Sequence, residues 1–233
     1  MQSEKPRALS YLDWLTGLLV LAAVLMVFLY APEEKTMGAV QKVFYFHVAT
    51  AWVGMLGFLA AAVAGVLYLT RGEKKWDLVG FSAVEISLVF FLTAIITGSI
   101  WARPTWNTWW TWDPRLTTAA IVELIYAAYL LLRQGVDDPA RRARFSAVYA
   151  VLGFLSVPLT FISIRMLRTI HPVVVGGSSA SGTGGFNMIS PMRQTFFFSL
   201  FVFTILFADF LWHRFRLARL SNRVEELRMK LVS

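Results

Sequence analysis

Two kinds of side chain in this sequence have chemistry beyond packing. The first is imidazole, present three times, as His47, His171 and His213. Imidazole nitrogen ligates transition metals and exchanges protons near neutral pH. The second is indole. Five of the nine tryptophans, Trp101, Trp106, Trp109, Trp110 and Trp112, fall within twelve residues, and Asp113-Pro114-Arg115 follows at once. Indole rings are large, flat and mostly apolar, so the segment predicts a platform for a flat ligand. Membrane-interface tryptophans stand singly around a bundle, which accounts for Trp14, Trp52, Trp76 and Trp212. It does not account for four indoles in the seven residues from Trp106 to Trp112. Asp113-Pro114 also reads as a helix start, with Asp113 as N-cap and proline at the first helical position. No nucleophile–base pair and no nucleotide-binding motif is evident, so an enzymatic reaction is not expected.

The elements that must position these groups are membrane spans. The chain is 57% hydrophobic and 15% charged, with a mean hydropathy of +0.60. Soluble domains carry about 25% charged residues. Six segments approach the roughly 20 apolar residues a spanning helix needs: Leu12–Tyr30, Phe46–Thr70, Leu78–Trp101, Leu116–Leu132, Phe145–Ile164 and Thr195–Trp212. The expected fold is an all-α integral membrane protein of six helices, because backbone polar groups in lipid must be satisfied within each segment. The polar/apolar alternation of a transmembrane barrel is absent, and no cleavable signal peptide is evident. Residues 1–213 are expected to form one membrane domain and 214–233 an amphipathic tail helix.

Basic residues orient the bundle. Lys5 and Arg7, then Arg71, Lys74 and Lys75, then Arg133, Arg141, Arg142 and Arg144, alternate with sparsely basic loops; the tail adds Arg214, Arg216, Arg219, Arg223, Arg228 and Lys230. These are 15 of the 22 basic residues, and the positive-inside bias therefore puts both termini in the cytoplasm. The net charge of +8 follows from that topology and from anionic lipid, so nucleic acid is not an expected partner. The tryptophan segment becomes an outer loop between helices 3 and 4. His47 and His171 share its side, and His213 lies at the inner end of the last span.

A flat ligand at that surface would be a quinone, a lipid headgroup, a glycan or a porphyrin. Haem iron takes imidazole as axial ligand, and two outer histidines flanking the tryptophans can approach the two faces of one ring. Arg103, Arg115, Arg165 and Arg168 run against the charge bias, and guanidinium pairs well with a carboxylate such as a propionate. With no cysteine in the chain, disulfides, thiol redox chemistry and thioether attachment of haem are excluded. A transmembrane dihaem cytochrome needs four histidines at two depths; here one haem at most fits. A single-haem redox protein and a non-haem transporter subunit are the alternatives. Glu85 and Glu123 lie at apolar depth, where acids are costly; a proton path or an interhelical hydrogen bond would use them. The last outer loop, 165–192, contains a glycine/serine run at 175–185 suited to a lid or to plain slack. The tail places Leu217, Leu220, Val224, Leu227 and Leu231 at spacings of 3, 4, 3 and 4, a seam for a partner subunit or the inner leaflet.

The stretch Trp101–Thr117 resembles the tryptophan-rich WWD signature of haem-handling membrane proteins, and within that group the haem exporter protein C (CcmC) family of the cytochrome c maturation system. Phe44-Tyr-Phe-His-Val48, Thr169-Ile-His-Pro172, the chain length and the six spans are similar as well. The family pattern usually has glycine where this chain has Asn107, a residue that tolerates left-handed backbone. The resemblance implies a protein that binds haem b non-covalently and transiently at the outer, periplasmic face of the bacterial inner membrane. It implies delivery to a haem chaperone, CcmE, for c-type cytochrome biogenesis. It also implies work beside the ABC-type subunits CcmA and CcmB, with any ATP hydrolysis left to CcmA, and beside the small membrane protein CcmD. Carried onto this chain, His47 and His171 would be the axial ligands of the iron. Trp101, Arg103, Trp106, Trp109, Trp110, Trp112, Asp113 and Arg115 would form the haem-binding segment.

Overall fold

The computed structural model describes residues 5–34, 37–172 and 188–232; the glycine/serine run at 175–185 lies outside them. Seven α-helices follow one another among the described residues. They are α1 (Arg7–Leu25, ending in a π-helical turn Met26–Tyr30), α2 (Gln41–Arg71), α3 (Lys74–Trp106), α4 (Pro114–Gln134), α5 (Pro139–Phe154), α6 (Ser156–Met166) and α7 (Ser190–Val232). No sheet forms among the described residues. Six helical stretches are long and apolar enough to cross a membrane, α5 and α6 together supplying the fifth. Pro158 explains that division, since it has no N–H to donate to the Phe154 carbonyl, and the helix is interrupted at Leu155.

Helix boundaries follow the chemistry of single residues. Asp113 and Asp138 cap α4 and α5, accepting from Arg115 N at 2.9 Å and Arg141 N at 2.7 Å, each with proline at the next position. Gly72 ends α2 with φ 67°. Asn107 ends α3 with φ 57°, the one left-handed non-glycine residue described.

Several elements outrun their apolar runs. Helix α3 continues through Trp106 despite Pro104, so Trp101, Arg103 and Trp106 are helical and the true loop is only 107–113. Proline in a last turn costs one backbone bond, and the arginine at 103 repairs the end by donating to Asn107 O and Oδ1. Helix α7 passes residue 213 without a break, and its 43 residues make a rod of about 65 Å. That is about twice a bilayer's hydrocarbon thickness, so its last turns stand clear of the span. The leucine seam there is open, with Leu217, Leu220, Val224, Leu227 and Leu231 all exposed.

The core lies between α2 and α3, which pack along most of their lengths with α4, α5 and α7 around them. Small residues permit this approach. A Cβ on Gly54 would sit 2.8 Å from Phe91 Cβ, and one on Gly57 would collide with Ser87 Oγ and meet Phe207 at 2.8 Å. Phe58 stacks on Tyr126 at 3.7 Å between centroids, locking α2 to α4. At the basic end, Arg133 of α4 holds Asp77 of α3 through two bonds of 2.5 and 3.1 Å and lies over Phe81. Glu85 does not reach Glu123. It is paired with Arg214 of α7 at 2.6 Å, while Glu123 Oε2 is buried without a partner.

Gly57→Ala is expected to destabilise the bundle by about 1–3 kcal/mol through overpacking, read as a lower unfolding temperature in detergent. Gly17→Ala, where nothing lies within 4 Å, serves as the control and is expected to leave that temperature unchanged or slightly raised.

Candidate functional site

A cleft open to solvent lies at the tryptophan end, walled by α2, α3, the 107–113 loop, α4, α6 and the segment after α6. His47 enters from the second turn of α2, where Phe44 and Tyr45 anchor the helix in the core. Its Nδ1 lies 2.8 Å from the Ala94 carbonyl of α3. A carbonyl oxygen only accepts, so Nδ1 carries the hydrogen and Nε2 keeps its lone pair. Gly98, one turn on, makes room: a Cβ there would stand 2.8 Å from His47 Cε1.

His171 faces His47 with ring centroids 6.4 Å apart and planes inclined by 44°. Its Nδ1 donates to the Pro172 carbonyl at 3.0 Å, again leaving Nε2 as the free nitrogen. Burial pushes the His171 imidazole down to about 3, with repulsion from Arg115 and His47 adding to the effect. The ring is therefore neutral at physiological pH, the form in which imidazole ligates a metal.

The segment that carries His171 is held by one carboxylate. Asp113 Oδ1 accepts from the Thr169 hydroxyl at 2.7 Å as well as from Arg115 N, and Oδ2 accepts from Ile170 N at 2.9 Å. Thr169 Oγ1 in turn accepts from His171 N at 3.1 Å. The α4 cap is thus the clasp that brings residues 56 and 57 positions away against the tryptophan loop.

The indoles form a slot rather than a flat plate. Trp101 and Trp106 meet edge to face at 5.4 Å and 87°, Trp106 meets the His171 ring at 6.3 Å and 63°, and Trp110 meets Trp112 at 83°. Trp101, Trp106, Trp109, Trp110 and Arg115 line the cleft with the two histidines. Trp112, Arg103 and Asp113 do not: Trp112 is 78% exposed, Arg103 is spent on the α3 terminus, and Asp113 is the clasp. Arg115 donates to the Thr160 carbonyl at 3.1 Å and lies 5.4 Å from the Phe161 ring centroid. Among the described residues its guanidinium forms no ion pair; the Asp113 carboxylate acts on it through space but is engaged by the clasp.

The family model for heme exporter protein C matches residues 3–230. The chain belongs to the heme exporter protein C family. A heme exporter protein C of Bradyrhizobium diazoefficiens is 32% identical over 228 residues, covering 95% of this chain and 84% of that protein. Those of Rhodobacter capsulatus and Escherichia coli K12 are 29% and 28% identical, covering 96% and 91% of this chain and 91% and 86% of their own lengths. Like the rest of this family, the chain is a multi-pass membrane protein.

Gly98, Thr160 and Thr169 were not legible as site residues. Gly98 looks like any small residue in an apolar run, and Thr160 contributes a backbone carbonyl. Thr169 carries a local signal, a hydroxyl two residues before a histidine backbone N–H. Asp113→Ala is expected to speed amide exchange at Ile170 and His171 by about tenfold or more, because a lost cap costs about 1 kcal/mol and the loop bonds go with it. Asp113→Asn, which keeps one acceptor, should fall between. Exchange rates equal to wild type at both amides would show that the clasp does not hold the loop.

Proposed function

We propose that this chain is a haem-handling protein that takes haem b as transient cargo between His47 and His171, at the outer face of the bacterial inner membrane. The distance between the imidazoles carries the reading. Metal–imidazole bonds of about 2.0–2.1 Å put each ring centroid about 3.2 Å from the metal, so trans rings stand about 6.3 Å apart. The two rings lie at 6.4 Å with both Nε2 atoms unengaged. The cleft suits the rest of the cargo: Trp101, Trp106, Trp109 and Trp110 give apolar walls, and Arg115 supplies a partner for a propionate.

The two ligands are held unequally, which suits a carrier that must release what it binds. His47 is fixed on a 31-residue helix by the Ala94 carbonyl, while His171 hangs on the bonds to Asp113. Disturbing that one carboxylate would withdraw His171 and leave His47 in place. A docking chaperone that met the exposed Trp112 and Trp109 beside it has such a route. The relatives' printed name, heme exporter protein C, agrees with this reading. In it the receiving chaperone is CcmE, and CcmA, CcmB and CcmD are the partners within the cytochrome c maturation system. The chain itself acts as a binding and delivery component, with ATP hydrolysis belonging to CcmA. The exposed helix beyond residue 213 is a docking element for one of these subunits on the cytoplasmic side.

Purification of the tagged protein from haem-sufficient cells tests the reading. Wild type is expected to carry non-covalent haem; His47→Ala and His171→Ala are each expected to lose most of it and to alter the absorption spectrum of the remainder. An unchanged spectrum and haem content in both variants would overturn the assignment.

A further inference from the structure

A second constellation lies at the opposite end, where α1 meets α7. Asp13 comes from the second turn of α1; Asp209 and His213 come from one face of α7, four residues apart. His213 Nε2 lies 2.8 Å from Asp13 Oδ1 and 3.6 Å from Asp209 Oδ1. One ligand atom from each of the three residues lies within 4.8 Å of the other two. An imidazole Nε2 carries a single hydrogen, so it serves one carboxylate at a time, and its hydrogen bond goes to Asp13.

Asp209 is the group left over. Its side chain is 7% exposed, and Oδ1, the oxygen aimed at His213, has no hydrogen-bond partner. Thr16 of α1 and Asp13 both lie against the same carboxylate, Thr16 with its hydroxyl short of good hydrogen-bond geometry. A buried carboxylate oxygen with no donor is unfavourable in a protein interior. The shared proton cannot satisfy both acids. A cation placed among the three atoms satisfies all of them.

We propose that Asp13, Asp209 and His213 form a binding site for a divalent transition-metal ion of the zinc class, clamping α1 to α7. A tetrahedral shell with bonds of about 2.0–2.2 Å spaces its ligand atoms about 3.3–3.6 Å apart. The 2.8 and 3.6 Å separations here bracket that spacing. One imidazole and two carboxylates suit zinc and its neighbours, whereas calcium and magnesium prefer all-oxygen shells of six or more ligands. Asp13 and His213 are partly exposed, at 31% and 46%, so the fourth position opens to solvent. Lys5 binds the other oxygen of Asp13 and is the resident cation a metal must contend with. The clamp has a mechanical role, because α1 is largely uncovered and packs chiefly on α7.

The test uses the full chain carrying His47→Ala and His171→Ala, so that the imidazoles of the cleft cannot bind the probe. After chelator treatment in detergent, Zn²⁺ is titrated by calorimetry and thermal unfolding is followed with and without it. The expected result is one equivalent bound and a higher unfolding temperature with Zn²⁺. Adding Asp209→Asn or His213→Gln is expected to weaken binding by at least about tenfold, since even outer-shell changes at metal sites cost that much. Lys5→Ala is expected to tighten it about threefold, as removal of an exposed competing ion pair would. No zinc bound by the parent, or equal binding after Asp209→Asn and His213→Gln, would overturn the proposal. Lys5→Ala keeps the test decisive if either of those variants fails to fold, and unchanged or weaker binding there would count against the site.

Discussion

Two imidazoles are held 6.4 Å apart with their planes inclined by 44° and no bond between them, and the packing of the tryptophan end sets that gap. Each ring has its Nδ1 hydrogen committed to a backbone carbonyl, which leaves Nε2 as the nitrogen without a hydrogen-bond partner. Those carbonyls sit on different scaffolds. Ala94 belongs to α3, which is pressed against α2 through the glycine-lined seam, and Gly98 gives the His47 ring its space. Pro172 belongs to the segment that Asp113 clasps. A change in the α2–α3 packing and a change at Asp113 therefore reach the same gap from opposite sides.

The two ends of the molecule manage charge differently. At the basic end, buried or half-buried ions are paired: Arg133 with Asp77, Arg214 with Glu85. At the tryptophan end the Arg115 guanidinium forms no ion pair among the described residues and is engaged by a carbonyl and an aromatic face. A guanidinium in that state has its remaining donors available, and desolvation beside indoles strengthens any carboxylate it meets. Asp209 at the basic end is held more loosely: its Oδ1 has no hydrogen bond and reaches His213 only at 3.6 Å, against 2.6 Å between Glu85 and Arg214.

Much of this was readable before coordinates. Hydropathy gave the six spans, and the Asp113-Pro114 pair marked the start of α4 because cap chemistry is local. Asn107 was expected to tolerate the left-handed turn it adopts. Where the reading stopped, the cause was long-range contact or a local rule outweighed by its surroundings. The third span was expected to end at Trp101, yet α3 runs on to Trp106, since Pro104 in a last turn forfeits one bond and the Trp101–Trp106 packing holds the rest. The tryptophan cluster predicted a platform, but adjacent indoles prefer edge-to-face contact, which made a slot. Asp113 was legible as a cap and not as a clasp, because Thr169 and Ile170 are remote in sequence. Glu85 looked costly at its depth because its arginine lies on the last helix, and the Asp13 partner of His213 was not legible because it belongs to the first.

The most direct measurement of the central idea is electron paramagnetic resonance of the ferric haem-loaded protein, prepared with and without ¹⁵N-labelled histidine. The account predicts a low-spin iron whose nitrogen hyperfine couplings change on labelling as two imidazoles require. A high-spin iron, or coupling from a single imidazole, would contradict the picture of one metal bridged by His47 and His171.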